Sequence, residues 1–313
     1  MKKLVVLTGP TAVGKTELSI RLAKAINGEI ISADSVQIYK KLDIGSAKIT
    51  TEEMDNVKHY LVDELEPDEE FNVYRFKEMA LLAIEKIYAK GKIPIIVGGT
   101  GFYIQSVLYD IDFENESSDS IYREKLENEA KEFGNEYLHN KLKKVDESSA
   151  KQIHPNNVKR VIRALEFYYE NGYPISVHNK EQRENVSPYN FSYIVLNDDR
   201  KLLYDRINKR VDIMVDKGLF SEVKGLLDEG YSRELTSMQG IGYKEVCAYY
   251  SGELSREGAT QLIKKNTRHF AKRQLTWFRR EKSTDFIDYD KLDHDKERIF
   301  EAVINLLKNK SII

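Results

Sequence analysis

Residues 9–16 constrain this chain more than any other stretch. They read Gly-Pro-Thr-Ala-Val-Gly-Lys-Thr and match the phosphate-binding pattern G-x-x-x-x-G-K-[ST]. A short apolar, β-branched run at residues 4–7 precedes them, and helical apolar spacing at Leu18, Leu22 and Ile26 follows. We therefore predict a buried strand, a phosphate-binding loop and a helix. A glycine turn with a chance lysine is the alternative, but four fixed positions between a strand and a helix argue against it.

The predicted loop has the chemistry to hold at least two linked phosphates. Glycines let the backbone wrap close to an anion, and successive N–H groups point at it from the positive end of the helix. The Lys15 ammonium adds a point charge, and the Thr16 hydroxyl can reach a Mg²⁺ that bridges phosphate oxygens. The loop alone does not say whether the ligand is a nucleotide. The residues assigned to this cradle are Gly9, Pro10, Thr11, Ala12, Val13, Gly14, Lys15 and Thr16.

The composition limits the class of protein. At 313 residues, 41% apolar and 32% charged, the chain suits a globular protein of one large or two modest domains. A net charge of −2 gives no overall attraction to nucleic acid, so any basic site must be local. The single cysteine, Cys247, excludes a disulfide framework and a thiolate zinc site built from this chain alone.

Membrane and secretion signals are missing from the sequence. No apolar run approaches membrane-spanning length. The apolar run after Met1-Lys2-Lys3 has only four residues, which is too few for a signal peptide. We therefore expect a cytoplasmic protein with no membrane partner.

Asp34 follows the second predicted strand. Gly28 is expected to close the first helix, and residues 29–33 then predict a short buried strand. In an open α/β sheet that strand would deliver Asp34 to the carboxyl edge, beside the phosphate loop, where ligands bind. Asp34 is therefore a candidate general base or metal ligand. The alternative is that Asp34 merely caps a following helix, as Asp often does.

A third strand leads into a glycine-rich turn. Residues 41–70 are polar and irregular, with an isolated His59 that we assign a structural role. Residues 72–90 predict an amphipathic helix, and residues 93–97 predict a buried strand.

The turn that follows, Gly98-Gly99-Thr100-Gly101, allows close backbone approach to a ligand and offers the Thr100 hydroxyl. A tight structural turn is the equally open alternative. No acidic residue ends the strand, where nucleotide hydrolases usually place an aspartate for Mg²⁺. We therefore interpret the phosphate loop as holding phosphates that leave, rather than a phosphoryl group that is transferred.

A helical insertion is predicted between two polar stretches, residues 112–120 and 181–188. Its strongest helix follows His154-Pro155-Asn156-Asn157, where either asparagine can provide the cap. The expected core stripe of that helix is Val161, Ile162, Leu165 and Tyr169, and its basic face is Lys159, Arg160 and Arg163. Such a face is usually solvated. Arg123, near the start of the insertion, is either functional or part of a surface salt bridge.

The C-terminal third combines a resumed sheet with a basic helix. Residues 191–196 predict a strand, residues 202–217, 220–229 and 257–282 predict helices, and residues 238–245 form a glycine-bounded loop. From 256 to 282 the chain carries nine Lys or Arg against two Glu, and Phe270, Trp277 and Phe278 interleave with the charges. Basic side chains with aromatics suit phosphate contact and base stacking. Alternatively, the aromatic residues are core and the charges are solvated.

Taken in order, these motifs closely resemble those of the bacterial tRNA dimethylallyltransferases, the tRNA isopentenyltransferase family, over nearly the full chain. The motifs that carry the resemblance are residues 9–16, Asp34-Ser35-Val36-Gln37-Ile38-Tyr39, Gly98-Gly99-Thr100-Gly101, His154-Pro155-Asn156-Asn157 with Arg160 and Arg163, Gly240-Ile241-Gly242-Tyr243-Lys244-Glu245, and Lys272-Arg273-Gln274-Leu275-Thr276-Trp277-Phe278-Arg279. We expect no counterpart of the zinc finger that eukaryotic relatives carry at their C-terminal end, which is consistent with the single cysteine.

The resemblance implies a fold and a reaction. The fold is α/β, a P-loop NTPase-like core with a mostly parallel sheet flanked by helices, plus an inserted all-helical domain. We place the core at residues 1–111 and 191–313 and the insertion at residues 112–190. The reaction moves the dimethylallyl group of dimethylallyl diphosphate to N6 of the adenosine immediately 3′ of the tRNA anticodon. The implied cofactor is Mg²⁺, the partners are the tRNA anticodon stem-loop and the prenyl diphosphate, and the expected state is a monomer.

The resemblance also implies roles for individual residues. Asp34, Thr100, Lys15 and Arg123 are the catalytic set, with Thr100 at the bridging oxygen of the diphosphate, Arg123 closing over the site and Thr16 on the metal. Lys159 stands where family members often have Gln, which puts an amide-mediated base contact there in doubt. The residues carried over as contacting tRNA are Asp34, Ser35, Val36, Gln37, Thr100, Arg123, Lys159, Arg160, Val161, Ile162, Arg163, Gly240, Ile241, Gly242, Tyr243, Lys244, Glu245, Lys272, Arg273, Gln274, Leu275, Thr276, Trp277, Phe278 and Arg279.

Three other functions share some of these features. An isopentenyltransferase acting on free adenine nucleotides would use the loop and Asp34, but it needs neither the insertion nor the basic helix. A small-molecule kinase would explain the loop, but it predicts an acidic residue at the end of the 93–97 strand. A nucleotide-gated RNA-binding protein would keep the basic surface, but it has no use for Asp34.

Overall fold

A computed structural model of the chain describes residues 1–113, 120–182 and 184–313. The two polar stretches expected to bracket the insertion therefore lie partly outside the described residues. The chain folds into two compact units. The larger unit is Met1–Leu108 with Pro188–Ile313, and the smaller is Tyr109–Ser187.

The larger unit is built on one parallel sheet. In the described ranges the six strands are ordered β3-β2-β4-β1-β5-β6, and every pair is parallel. The predicted α/β fold with a mostly parallel sheet is therefore confirmed. The strands are β1 Lys2–Thr8, β2 Gly28–Ala33, β3 His59–Tyr60, β4 Ile93–Gly98, β5 Tyr189–Asn197 and β6 Thr284–Asp288.

Helices cover this sheet and make up the smaller unit. In chain order they are α1 Lys15–Ala25, α2 Thr51–Met54, α3 Val73–Ala89, α4 Gly101–Leu108, α5 Ser120–Phe133, α6 Asn135–Val145, α7 Glu147–Gln152, α8 Val158–Asn171, α9 Ile175–Gln182, α10 Arg200–Asp216, α11 Leu219–Asp228, α12 Tyr243–Tyr250, α13 Arg256–Phe278 and α14 Lys296–Asn309. No helix in the described part of the chain is long and apolar enough to cross a membrane.

The central strands are buried on both faces. Leu4, Val5, Val6 and Leu7 of β1 are all fully buried. A strand covered by helices on both sides reads as a continuous apolar run rather than an alternation, which is why β1, β2, β4 and β5 could be recognised in the sequence. Their register aligns Thr8 with Gly98 and Gly98 with Ala33. The segments that follow β1, β2 and β4 therefore leave the sheet at the same edge.

Three expectations about local structure were wrong. Gly28 does not close α1: it is already the first residue of β2, and Asn27, at φ 52°, makes the turn. Residues 41–70 are not wholly irregular, because they contain α2 and the short strand β3. The helix expected to reach residue 282 ends at Phe278. Two of these errors lie at the end of an element, and the third concerns elements of only four and two residues, which are too short for a periodic pattern.

The smaller unit has its own apolar core. It is formed by Leu126, Leu138, Leu142, Ala150, Val161, Ile162, Ala164 and Leu165. Tyr169 was expected in this core but is 57% exposed, and its ring stacks on Tyr122 at a centroid distance of 4.0 Å. Asn157 precedes α8 as expected, but its side chain makes no capping hydrogen bond.

A buried carboxylate connects two elements of the smaller unit. Asp146 accepts hydrogen bonds from the backbone N–H and hydroxyl groups of both Ser149 and Ser176. Burial works to raise the pKa of Asp146, but these four hydrogen bonds outweigh it and hold the pKa below its usual value. The bonds tie the start of α7 to the start of α9.

Candidate active site

The phosphate-binding motif forms the predicted strand, loop and helix. β1 ends at Thr8, and Gly14 precedes α1 with a left-handed backbone at φ 100°. Gly9 also has a positive φ, and a Cβ there would lie 2.5 Å from the Leu196 carbonyl oxygen. No side chain fits at Gly9, because β5 passes directly beside the loop.

A cavity of about 100 Å³ lies beside this loop. Thr11, Lys15 and Thr16 line it from the loop, and Asp34 and Gln37 line it from the segment after β2. Gly98 at the end of β4, Gly99 just after it, and Phe270 and Gln274 of α13 also line it. Its walls further include the apolar side chains of Ile30, Ile49, Val62 and Val97. The fold thus brings the loop, Asp34 and the basic helix to one site.

Lys15 is the cation of the loop. Its Nζ donates to the carbonyl oxygens of Gly9 and Pro10 at 3.0 and 2.8 Å. Burial lowers the pKa of Lys15 to about 7, the positive charge of Arg210 contributes to this lowering, and Asp34 opposes both effects. The side chain is half-exposed yet surrounded by protein, as expected in a narrow cleft. An anion bound here would favour the charged form of Lys15.

Arg210 does not line the cavity, but its positive charge acts on Lys15, and sequence reasoning does not find it. It lies on α10 among crowded protein atoms that lower its pKa, although its side chain still reaches solvent. Arg210 is close enough to Lys15 for its charge to lower the pKa of Lys15. No local signal marks Arg210, because α10 carries many basic residues in a pattern typical of a solvated face. Only the position of α10 in the folded chain distinguishes it.

Asp34 does not cap a helix, as the alternative interpretation expected, because the next helix in the described chain is α2 at Thr51–Met54, but its side chain does hold a turn. Its Oδ1 accepts hydrogen bonds from the backbone N–H groups of Val36 and Gln37, at 2.9 and 3.2 Å, so it does close its own turn. Among the described residues, no hydrogen-bond donor contacts Oδ2. The side chain is half-buried and lines the cavity. One carboxylate oxygen thus holds the turn.

The glycine turn at the end of β4 is closely surrounded by other protein atoms. A Cβ at Gly98 would lie 2.2 Å from the Ala33 carbonyl oxygen. At Gly99 it would lie 2.1 Å from Nε2 of Gln274, and at Gly101 it would lie 2.2 Å from Cδ1 of Trp277. These contacts support the interpretation of the glycines as a tight structural turn, and Gly98 and Gly99 also line the cavity. Thr100 lies between them just before α4, where its N–H donates to Ala33 at 3.3 Å.

The acidic residue that a hydrolase would use is absent from the end of β4, but a carboxylate does follow β5. The Asp198 side chain is fully buried and is ion-paired with Arg206. His294 Nε2 lies 2.9 Å from its other oxygen. Both carboxylate oxygens are therefore engaged by protein groups, and Asp198 does not take the place of a hydrolase aspartate.

Only part of the predicted RNA-contacting segment of α13 is accessible. Lys272, Arg273, Thr276 and Arg279 are exposed. Phe278 is fully buried, as expected if the aromatic residues are core, so its side chain is not accessible to RNA. Leu275 packs against the core, and Trp277 packs edge-on against Phe102 at 6.2 Å. Gln274 is also buried, and it contacts the phosphate loop.

Two buried side chains support the predicted RNA-contacting loop at 240–245 through hydrogen bonds. Tyr243 is fully buried and donates its hydroxyl to Glu222 at 2.8 Å. Glu245, also buried, accepts from the Gly242 N–H and from Asn266, both at 2.7 Å. Tyr243 and Glu245 therefore support the loop, which leaves Lys244 as its exposed cation and Ile241 half-exposed.

Two of the predicted RNA-contacting segments of the larger unit lie side by side. A Cβ at Gly240 would be 3.3 Å from Cγ2 of Val36. Gln37 donates its side-chain amide to the carbonyl oxygens of Ser46 and Ala47, and Ser35 is exposed. The surface next to the cavity thus includes groups from both segments.

Some predicted site residues of the smaller unit are exposed, whereas others are buried or ion-paired. Arg123 forms a two-bond pair with the buried Glu166, at 2.7 and 2.9 Å, as the salt-bridge alternative predicted. Val161 and Ile162 belong to the core, so their side chains are not available to RNA. The predicted cations of α8 have different exposures: Lys159 and Arg160 are exposed and Arg163 is half-buried.

The described residues do not hold a metal through a cluster of their own. In the ranges that the structure covers, no three His, Cys, Asp or Glu side chains are grouped as ligands. Thr16 is exposed at the cavity, and Asp34 lines the same cavity. A hard cation that keeps most of its water, as Mg²⁺ does, fits such a sparse donor set when the substrate supplies phosphate oxygens.

The comparisons with known proteins agree with one another. A model of the IPP transferase family matches residues 37–281. The chain is 59% identical over 314 residues to the tRNA dimethylallyltransferase of Lachnoclostridium phytofermentans, covering 100% of both chains. It is 54% identical over 299 residues to that of Acetivibrio thermocellus, covering 96% of both.

Solved structures give the same result. The full-length tRNA isopentenylpyrophosphate transferase from Bacillus halodurans is 44% identical with a TM-score of 0.73, covering 99% of this chain and 98% of that one. A eukaryotic dimethylallyltransferase acting on tRNA is 31% identical with a TM-score of 0.82, covering 97% of this chain and 79% of that one. The similarity thus extends over both units of the chain.

Proposed function

The chain belongs to the IPP transferase family, and from that premise we propose that it transfers the dimethylallyl group of dimethylallyl diphosphate to N6 of an adenosine in tRNA. The adenosine is the one 3′-adjacent to the anticodon, and diphosphate is the second product. The observation that carries the proposal is a single cavity lined by Lys15 of the phosphate loop and by the carboxylate of Asp34. It pairs a cradle for an anionic leaving group with a proton acceptor.

The phosphate loop is suited to the leaving group. As the C1–O bond of the donor breaks, positive charge develops on the allylic carbon and negative charge on the diphosphate. The loop N–H groups, Lys15 and Arg210 supply positive charge where that negative charge grows, so they stabilise the transition state more than the bound substrate. Single donors of this kind are typically worth about 10²–10³ in kcat.

Asp34 is suited to accept a proton from the nucleophile. The exocyclic amine of adenine is a poor nucleophile and must lose a proton as the N6–C1 bond forms. The Oδ2 atom of Asp34 can accept that proton, while Oδ1 keeps the carboxylate oriented through its two backbone hydrogen bonds. The bond changes then balance: N6–C1 forms, C1–O and N6–H break, and diphosphate departs.

Mg²⁺ would be held by the Thr16 hydroxyl and by the substrate's own phosphate oxygens, and when bound it would neutralise diphosphate charge. The protein residues around it, Lys15 and the loop amides, would bind and orient the diphosphate. Thr100, just before α4, follows the turn that lines the cavity and can contact the same group. Arg210 would add a second positive charge near Lys15.

The tRNA would bind through exposed cations on both units. These are Lys272, Arg273 and Arg279 near the end of α13 and Lys159 and Arg160 on α8. Such side chains position a nucleic acid through its phosphates. An adenine inside a stacked anticodon loop cannot reach the cavity, so it must be extruded. Since unmodified tRNA is found in the cytoplasm, we place the reaction there.

Label transfer tests this function. The protein is incubated with labelled dimethylallyl diphosphate and unmodified tRNA, AMP or ATP, and N6-prenylated adenosine is measured. We expect label in tRNA only. Label in AMP or ATP, with none in tRNA, would indicate instead an isopentenyltransferase of free nucleotides. No label in any acceptor would exclude prenyl transfer to adenine altogether.

A further inference from the structure

The C-terminal part of α13 has two different sides. Lys272, Arg273 and Thr276 are exposed, whereas Gln274 is 6% exposed and lines the cavity. Gln274 lies between residues assigned to RNA contact by resemblance, but its side chain points away from their surface. Its role must therefore be derived from the groups that it contacts.

The Gln274 amide joins two turns of the active site. Its Oε1 accepts a hydrogen bond from the Thr11 N–H in the phosphate loop, at 2.9 Å. Its Nε2 donates to the Gly99 carbonyl oxygen in the turn after β4, at 3.0 Å. The two turns follow neighbouring strands, whose ends are also joined by the Thr8 hydroxyl, which donates to Gly98 at 2.6 Å. A planar amide that is bonded at both ends fixes the spacing between the two turns.

The packing around this amide leaves it little freedom. A Cβ at Gly99 would lie 2.1 Å from Nε2 of Gln274, so this backbone and this side chain are in direct contact. One helical turn further, Trp277 fills the space beside Gly101 in the same way, with Cδ1 2.2 Å from a Cβ built there. α13 therefore lies directly on the glycine turn at two successive points.

We propose that Gln274 is a positioning residue for the prenyl-diphosphate site rather than an RNA contact. Its amide holds the phosphate loop and the glycine turn at the spacing that the diphosphate requires. Because Lys272 and Arg273 lie on the exposed side of the same helix, one rigid element supports both donor binding and RNA binding. The identity of the diphosphate ligand rests on the function proposed above, but the positioning role does not.

The test compares Gln274→Leu, which removes both hydrogen bonds at similar volume, with the matched control Lys272→Ala on the exposed side. Binding of inorganic diphosphate and of tRNA is measured separately by calorimetry, and KM is measured for each substrate. For Gln274→Leu we expect about tenfold weaker diphosphate binding and a similar rise in the KM for prenyl diphosphate, with unchanged tRNA affinity. Lys272→Ala should weaken tRNA binding only.

A second readout covers the case in which Gln274→Leu folds poorly. Gln274→Asn keeps the amide but is one methylene too short to reach both turns, and it should give the same split between the two KM values. Hydrogen exchange of a peptide spanning residues 9–16 should accelerate in both variants without diphosphate, because the Thr11 amide loses its acceptor.

Weaker tRNA binding with unchanged diphosphate binding in Gln274→Leu and Gln274→Asn would overturn the proposal and return Gln274 to the RNA surface. Unchanged hydrogen exchange at residues 9–16 would also overturn it. If the wild-type protein binds diphosphate but prenylates no tRNA, the proposed function fails, while the diphosphate-binding and exchange results still decide the role of Gln274.

Discussion

In the proposed mechanism, Oδ1 of Asp34 holds a turn and Oδ2 accepts the proton from N6, and mutants should separate these two roles. Asp34→Asn keeps an oxygen that can accept from Val36 and Gln37, but it removes the base. We expect tRNA binding to persist and kcat to fall by about 10²–10⁴. Asp34→Ala should lose turnover similarly and also lose roughly 1.5–3 kcal/mol of unfolding free energy, because the Val36 and Gln37 N–H groups lose their charged acceptor. Single-turnover rates, tRNA binding and denaturant unfolding measure the three effects.

If Asp34→Asn loses tRNA affinity and turnover by the same factor, Asp34 is a binding residue and the base lies elsewhere. An exposed aspartate that does not line the cavity makes a suitable control. Asp216, at the end of α10, is exposed, and its change to Asn should alter none of the three measurements.

The lowered pKa of Lys15 predicts that the protein takes up a proton when diphosphate binds. With a pKa of about 7, caused by burial and by Arg210, much of Lys15 is neutral above pH 7. A bound diphosphate favours the ammonium, so binding at pH 8 should take up about one proton, whereas at pH 6 the Lys15 share should be near zero. Calorimetry in buffers of different ionisation enthalpy measures this number, and Lys15→Met isolates the contribution of Lys15.

Lys15 also makes the stability of the free protein depend on pH in a defined direction. The pKa of Lys15 is lowered from 10.5 to about 7, so the free-energy cost of burying its charge is fully present below pH 7 and is relieved as pH rises towards 10.5.

For the proton-uptake experiment, equal uptake by Lys15→Met and the wild type would show that Lys15 does not contact the diphosphate.

Among single residues, Asp34 and Lys15 could be identified from sequence but Arg210 could not. Asp34 directly follows a recognisable buried strand, and Lys15 belongs to a local motif whose geometry does not depend on the rest of the fold. The position of Arg210 depends on where α10 lies relative to a loop almost two hundred residues away. Gln274 shows a related limit, because neighbours along a helix point in different directions.

Among the elements, the exposed face of α13 should carry a salt-dependent part of tRNA binding. Replacing Lys272 and Arg273 with Ala removes two cations, so the slope of log K against log salt should fall by roughly 0.7–0.9 for each phosphate that is no longer neutralised. Lys308→Ala on α14 removes an exposed cation outside the predicted RNA surface and should leave the slope unchanged. Filter binding over a series of salt concentrations measures both.

An unchanged slope in the Lys272 and Arg273 variants would show that this face of α13 is merely solvated. That was the alternative left open by composition. The structure bears only on the aromatic residues of that alternative. Phe278 belongs to the core, whereas Trp277 packs against Phe102 of α4.

The glycine turn makes a second prediction for an element. Gly98→Ala would place a Cβ 2.2 Å from the Ala33 carbonyl oxygen, which is backbone and cannot move cheaply. We expect a loss of about 1–3 kcal/mol in unfolding free energy. Gly225→Ala is the matched control, because a Cβ within α11 meets nothing within 4 Å. That change should stabilise the protein by about 0.5–1 kcal/mol.

Denaturant unfolding of the Gly98 and Gly225 variants measures both values. A Gly98→Ala protein as stable as the wild type would mean that β2 and β4 can separate at their carboxyl ends, against the register that pairs Ala33 with Gly98.

At the scale of the whole molecule, the fold class could be predicted because parallel strands covered by helices appear in the sequence as continuous apolar runs. The two edge strands could not be anticipated. β3 has only two residues, His59 and Tyr60, and it exists because β2 offers an unpaired edge. β6 carries few apolar residues and is defined by its pairing with β5. The site then follows from the shared carboxyl edge, while its α10 and α13 contributions depend on packing.

A phosphate loop that holds a leaving group releases a different phosphorus product from one that holds a phosphoryl donor. The most direct measurement is therefore the phosphorus product released per modified adenosine, with dimethylallyl diphosphate and tRNA as substrates. We predict one inorganic diphosphate for each N6-prenyladenosine, with no orthophosphate. Release of orthophosphate, or a phosphorylated product formed from ATP, would contradict this mechanism and indicate phosphoryl-transfer chemistry at the loop.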